Sequence, residues 1–146
     1  MGDQQVSPIS AQTKKEFLRH LLGDITALEY MIDKGLIESG VTRIGAEQEL
    51  CLVQPDLRPA STGPLLLKEI NEPHFTAELA QWNLEINLDP YDAGPGCLQK
   101  MDQQLHRLLK LADEHSRQHD SRVLLTVILP TIRNSELNFD NMTPNP

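Results

Sequence analysis

The stretch TRIGAEQELCLVQ, residues 42–54, decides the fold. Ile44, Ala46, Gln48, Leu50 and Leu52 alternate with Gly45, Glu47, Glu49, Cys51 and Val53, the period of a β-strand. The run PDLRP that follows closes it with a turn. A second extended stretch, FTAELAQWNLEINLD, spans residues 75–89. There Trp82, Leu84, Ile86 and Leu88 share one face, and Asn83, Glu85 and Asn87 share the other.

Helical periods lie around these strands. Ser10 can cap a helix running to about Lys34, with Phe17, Leu21, Leu28 and Met31 or Ile32 near helical spacing and Gly35 and Gly40 at its end. Residues 1–9 read as a polar tail. Thr62 and Pro64 open a short helix that Pro73 stops. PYDAGPG, residues 90–96, reads as a loop. Residues 97 to about 119 form an amphipathic helix with Leu98, Met101, Leu105, Leu108 and Ala112 on one stripe. Residues 123–129 are an apolar run expected to be a buried strand, stopped by Pro130. The strands flanking the long helix are candidates for parallel pairing through a crossover. The expected class is α+β, a small mixed, largely antiparallel sheet with helices packed on one face. Residues 1–41 form an N-terminal helical segment and residues 42–146 a second unit.

Composition narrows the function. The 146 residues suit one domain or a piece of a larger one. Thirteen Lys and Arg against 21 Asp and Glu give a net charge of −8, which disfavours nucleic acid and anionic membranes. No apolar run approaches the ~20 residues of a membrane span, and the first residues lack the pattern of a secretory signal. Two cysteines make no disulfide framework, so a reducing cytoplasm is the expected location.

The chemistry concentrates in carboxylates. Glu47 and Glu49 leave the same strand face, roughly 6.5–7 Å apart at the backbone. Glu85 lies on the polar face of the second stretch, and Glu78 stands seven residues before it. A Glu-x-Glu strand is most often a solvated polar face. Such faces, however, favour Thr, Lys and Arg, whereas Glu47, Glu49, Asn83, Glu85 and Asn87 include no positive charge. Clustered carboxylates without basic neighbours suit a hard divalent cation such as Mg²⁺.

The segment IGAEQEL, residues 44–50, resembles the opening strand of glutamate–cysteine ligase family 2 and related carboxylate–amine ligases, which carry G-x-E-x-E. Residues 76–90, TAELAQWNLEINLDP, look like that family's next segment, an acidic residue followed seven positions later by Glu in E-[IL]-N. LPT at residues 129–131 and LNFDNMTP at residues 137–144 look like its following strand end and loop. The resemblance spans roughly residues 42–146.

It implies a glutamine-synthetase-like catalytic fold, with ATP as co-substrate and Mg²⁺ (or Mn²⁺) assisting phosphorylation of a substrate carboxylate before an amine displaces the phosphate. It assigns Glu47, Glu49 and Glu85 as metal ligands, and Glu78 less directly. The implied partners are small molecules, ATP and an amino acid. Catalytic and substrate-binding residues stay unassigned. The family's later segments, which bring a His-bearing strand and nucleotide contacts, have no counterpart, and no G-x-x-x-x-G-K-[ST] loop replaces them. The chain is therefore expected to be the N-terminal part of such a ligase, inactive alone. The alternative is a non-catalytic metal- or acid-binding regulatory module that kept the fold.

Other residues read as structural. His115 and His119 stand four apart on a helix, but no further ligand sits at metal spacing in sequence. Cys51 shares the glutamate strand face and reads as a buried thiol, since carboxylates disfavour a thiolate. Cys97, at a helix start, and Trp82 read as core. Arg133 is a surface arginine or an anion contact.

Overall fold

The structure is a computed structural model that describes residues 10–126 and 128–144. The tail over residues 1–9 lies outside the described residues. The chain divides into two compact units between Thr42 and Arg43.

The first unit is built on helix α1, Ala11–Asp33. The Ser10 hydroxyl accepts the Thr13 N–H at 3.0 Å and caps its start. At the other end Gly35 takes a left-handed φ of 63°. Its N–H reaches the Ile32 carbonyl at 3.0 Å, and the Leu36 N–H reaches the Met31 carbonyl at 2.9 Å, a Schellman ending. No residue of α1 is buried.

The second unit carries the sheet. Its elements are β1 (Arg43–Ile44), β2 (Glu47–Val53), α2 (Gly63–Ile70), β3 (Phe75–Ala77), β4 (Asn83–Asn87), β5 (Tyr91–Asp92), α3 (Cys97–Gln118) and β6 (Arg122–Leu124). Two short 3₁₀ turns follow, at Asn134–Glu136 and Phe139–Asn141. Four strands pair in the order β3-β4-β2-β6, and every neighbouring pair is antiparallel. β1 and β5 form a separate two-stranded ribbon. The class is α+β. β4 and β6, on either side of α3, do run parallel, but β2 lies between them, so neither pairs with the other.

The observed boundaries differ from the expected ones wherever a distant partner decides. The strand expected over residues 42–54 breaks at Gly45-Ala46, because β1 pairs with β5 while β2 pairs with β4 and β6. The expected loop at residues 90–96 thus contributes strand β5, whose partner lies almost fifty residues away. The stretch over residues 75–89 folds back on itself. Asn83 N–H bonds the Ala80 carbonyl at 2.9 Å, and β3 returns beside β4 with Thr76 opposite Glu85. The last strand ends at Leu124 rather than Leu129. Beyond it the Thr126 hydroxyl donates to the Ile128 carbonyl at 2.9 Å; Val127 lies outside the described residues. Helix α2 stops at Ile70, before Pro73, with Asn71 in the left-handed region.

Helices α2 and α3 cover one face of the sheet. Leu50, Leu52, Leu84 and Ile86 from the strands, Leu66 from α2, and Met101, Leu108 and Ala112 from α3 form the core. Leu98 departs from the expected α3 stripe and is 68% exposed. Trp82 is buried, but just before β4 it lines a hollow with Leu79, Leu137 and Met142 instead of joining the core beneath the helices. Among the described residues no helix is long and apolar enough to cross a membrane.

Candidate functional site

The sheet face opposite α2 and α3 carries the glutamates; at its other end Cys51 and Val53 are buried against Leu129. With Leu50, Leu52, Leu84 and Ile86 committed to the core, alternation turns Glu47, Glu49, Asn83, Glu85 and Asn87 outward. The register sets Glu49 directly opposite Glu85, Glu47 opposite Asn87 and Cys51 opposite Asn83. Thr76 faces Glu85 from the other side. Backbone bonds join Leu52 to Trp82 at 2.7 Å and Leu88 to Ala46 at 2.9 Å. The hydrogen-bonded pairs are therefore the even-numbered ones, and Glu49 and Glu85 occupy a non-hydrogen-bonded pair, where side chains stand closest.

Glu85 is fixed by its neighbours. Its Oε1 accepts from Asn87 Nδ2 at 2.8 Å and from the Thr76 hydroxyl at 3.1 Å. Glu78 follows β3 and comes close to the pair. Burial, and then the charges of Glu85 and Glu49, hold its carboxyl above the ordinary value, against one hydrogen bond from the Leu79 N–H. Glu47 stands one outward position further along β2 and is exposed. Among the described residues none of these four glutamates forms an ion pair with Lys, Arg or His. By register Arg122 stands opposite Val53, about 13 Å along β2 from Glu49, and His74, beside Asn87, is engaged by Glu72 and Asp89.

The turn that carries Glu78 is braced from the C-terminal side. Gln81 Nε2 donates to the carbonyls of Asp140 at 3.0 Å and Met142 at 2.7 Å, and Gln81 N–H bonds the Asn141 carbonyl at 3.0 Å. The Thr143 hydroxyl bonds the Glu78 carbonyl at 2.5 Å, and its N–H bonds the Leu79 carbonyl at 2.9 Å. Glu78, Trp82, Cys51 and Ile128 also border a hollow of about 250 Å³.

Oxygen donors alone, held at neighbouring strand positions, are the set that Mg²⁺ or Mn²⁺ takes. Their chemistry and strand placement fit such an ion. As the side chains stand, no group of three or more His, Cys, Asp or Glu among the described residues is gathered into a ligand shell. Binding at this face therefore requires the carboxylates to turn inward.

Cys51 is 1% exposed, and burial first, then the Glu49 charge, raises its thiol pKa, so it stays protonated. Cys97 is buried at the start of α3. Arg133 is exposed. His115 and His119 acquire a neighbour that sequence spacing does not reveal. Glu69 of α2 takes His119 Nε2 at 2.8 Å, lies 3.9 Å from His115 Nδ1, and has its carboxyl pKa lowered chiefly by the His119 hydrogen bond. Sequence reading also missed the supporting roles of Thr76, Gln81 and Asn87. Asn87 alone leaves a local signal, two residues from Glu85 on one strand face.

Comparison with protein-family models, curated proteins and solved structures yields no significant match to this chain.

Proposed function

We propose that the chain is the N-terminal part of an ATP-dependent carboxylate–amine ligase of the glutamate–cysteine type, acting in the cytoplasm. Its acidic sheet face would hold Mg²⁺ or Mn²⁺ through Glu49, Glu78 and Glu85, with Glu47 beside them. The observation that carries this reading is the register: Glu49 faces Glu85, and Glu78 adjoins both, with no basic partner among the described residues. Three like charges at one place are unfavourable on their own, and a divalent cation removes that penalty.

A bound divalent ion supplies charge neutralisation for a transferring phosphoryl group. The chain's own residues orient the donors. Asn87 and Thr76 fix the rotamer of Glu85, and the Gln81 and Thr143 bonds hold the turn bearing Glu78. The hollow beside Glu78 offers room for part of a substrate next to the carboxylates. ATP and an amino acid are the small-molecule partners of this reading.

Mn²⁺ titration followed by electron paramagnetic resonance tests the site. Glu49→Gln and Glu85→Gln should each weaken binding at least tenfold, whereas Glu29→Gln on α1 should not. Equal binding by all three variants would remove the site. The ligase reading is tested separately, by glutamate- and amine-dependent release of phosphate from ATP by the product of the full reading frame.

A further inference from the structure

The exposed face of α1 is a second feature, independent of the glutamates. Leu18, Leu21, Ile25, Leu28 and Ile32 recur at alternating spacings of three and four, the seam of a coiled coil. Phe17, Leu22 and Met31 flank it. All eight are between 40% and 68% exposed, and none of α1 is buried. Together they present roughly 800 Å² per copy, about the share one partner contributes to a standard interface. The helix is ~34 Å long, enough for such a seam.

Charge says which occupant fits. The first half of α1 holds Lys14, Lys15 and Arg19 against Glu16. The second half holds Asp24, Glu29 and Asp33, with Lys34 at the cap. This arrangement opposes the helix's own dipole, since the first turn has no acidic residue and the last no basic one. A second α1 lying antiparallel sets each basic half against an acidic half and opposes the two dipoles. Lys15 and Glu29 sit two heptads apart at the same position beside the seam, so antiparallel pairing brings Lys15 of one copy to Glu29 of the other. A parallel pair would stack like on like.

We infer that α1 is a homodimerisation helix, pairing antiparallel with α1 of a second copy of this chain. Sedimentation equilibrium on the full chain should give a dimer that dissociates on dilution. Leu21→Asp with Leu28→Asp should leave a monomer, with the near-ultraviolet spectrum of Trp82 unchanged. Lys15→Glu and Glu29→Lys should each weaken the dimer severalfold, and the two together should restore it. A spin label on Gln12→Cys, with Cys51 and Cys97 buried, should give a label-to-label distance near the helix length. A strictly monomeric chain at 100 μM overturns the inference. So does a short label distance, which means parallel pairing, or a monomer whose α1 binds anionic vesicles instead.

Discussion

Glu49 and Glu85 stand directly opposite one another across β2 and β4, at a pair where the ladder's hydrogen bonds do not intervene. Like charges at such a position destabilise a sheet by about 0.2–1 kcal/mol. A fold optimised for stability alone would place Lys or Thr at one of them. Keeping both charges makes sense where something positive binds between them.

Relief of this repulsion is measurable. Glu49→Gln should raise the stability of the ion-free protein by up to ~1 kcal/mol. On the proposed reading millimolar Mg²⁺ should stabilise the parent, and the same variant should lose most of that stabilisation. Urea midpoints with and without Mg²⁺ check both halves. A variant less stable than the parent without Mg²⁺ would show that the pair is not under repulsive strain.

Glu78 adds a pH dependence. Its folded-state carboxyl is raised, so the fold favours the protonated form. Its contribution is greatest in acid and is lost as pH rises through the raised value. At neutral pH the ionised group is a liability that a bound cation, as proposed, would offset. Stabilisation by Mg²⁺ should therefore be larger at pH 7.5 than at pH 4.5, and Glu78→Gln should flatten that difference. Thermal melts at the two pH values, with matched ionic strength, give the answer.

A second titrating cluster ties the sheet to α3. His74 Nδ1 meets Glu72 at 2.6 Å, and Nε2 meets Asp89 at 3.1 Å. The buried Gln104 receives the Asp89 N–H at 3.1 Å and donates to Asp89 Oδ2 at 2.6 Å. Hydrogen bonds that His74 donates to Glu72, then to Asp89, raise it above 6.5, while Glu72 and Asp89 are lowered below 4.5 and 3.8, each chiefly by the His74 hydrogen bond. The raised histidine stabilises fully below 6.5 and less as pH passes its folded value; the lowered acids stabilise fully above 4.5 and less in stronger acid. The cluster contributes most between those limits. The stability difference between parent and His74→Gln should peak near pH 5.5 and shrink by pH 8.5. A difference flat across that range would exclude charged pairing.

Period-two alternation was enough to assign Leu50, Leu52, Leu84 and Ile86 to the core and Glu49 and Glu85 to the opposite face, because burial on one side fixes every second residue. The register that sets Glu49 against Glu85 was not legible, since residues 36 apart in sequence carry no local record of their alignment. Nor was the break at residues 78–82. ELAQW contains no Gly or Pro, and the turn is held by bonds from residues 140–143. Tyr91 and Asp92 were masked by a loop-like composition until Arg43 and Ile44 supplied partners. The Glu69–His119 contact depends on the packing of α2 beside α3, which no spacing within either helix encodes.

Gly63 of α2 closely approaches the turn that bears Glu78. Its N–H bonds the Gln81 carbonyl at 2.8 Å, and a Cβ at this position would sit 2.5 Å from that same oxygen. The obstacle is backbone, so a side-chain rotation cannot relieve it. Gln81 in turn holds Asp140, Asn141 and Met142 beside the turn that bears Glu78. Gly63→Ala must push α2 away from residue 81 or move residue 81 itself, at ~1–3 kcal/mol. The second route shifts Glu78 relative to Glu85. Gly63→Ala should thus lower the urea midpoint and also weaken Mn²⁺ binding. Gly94→Ala, where a Cβ meets nothing within 4 Å, should do neither. If Gly63→Ala loses stability but keeps full Mn²⁺ binding, α2 has yielded and the brace on Glu78 is intact; if both glycine variants behave alike, the close approach does not govern the site.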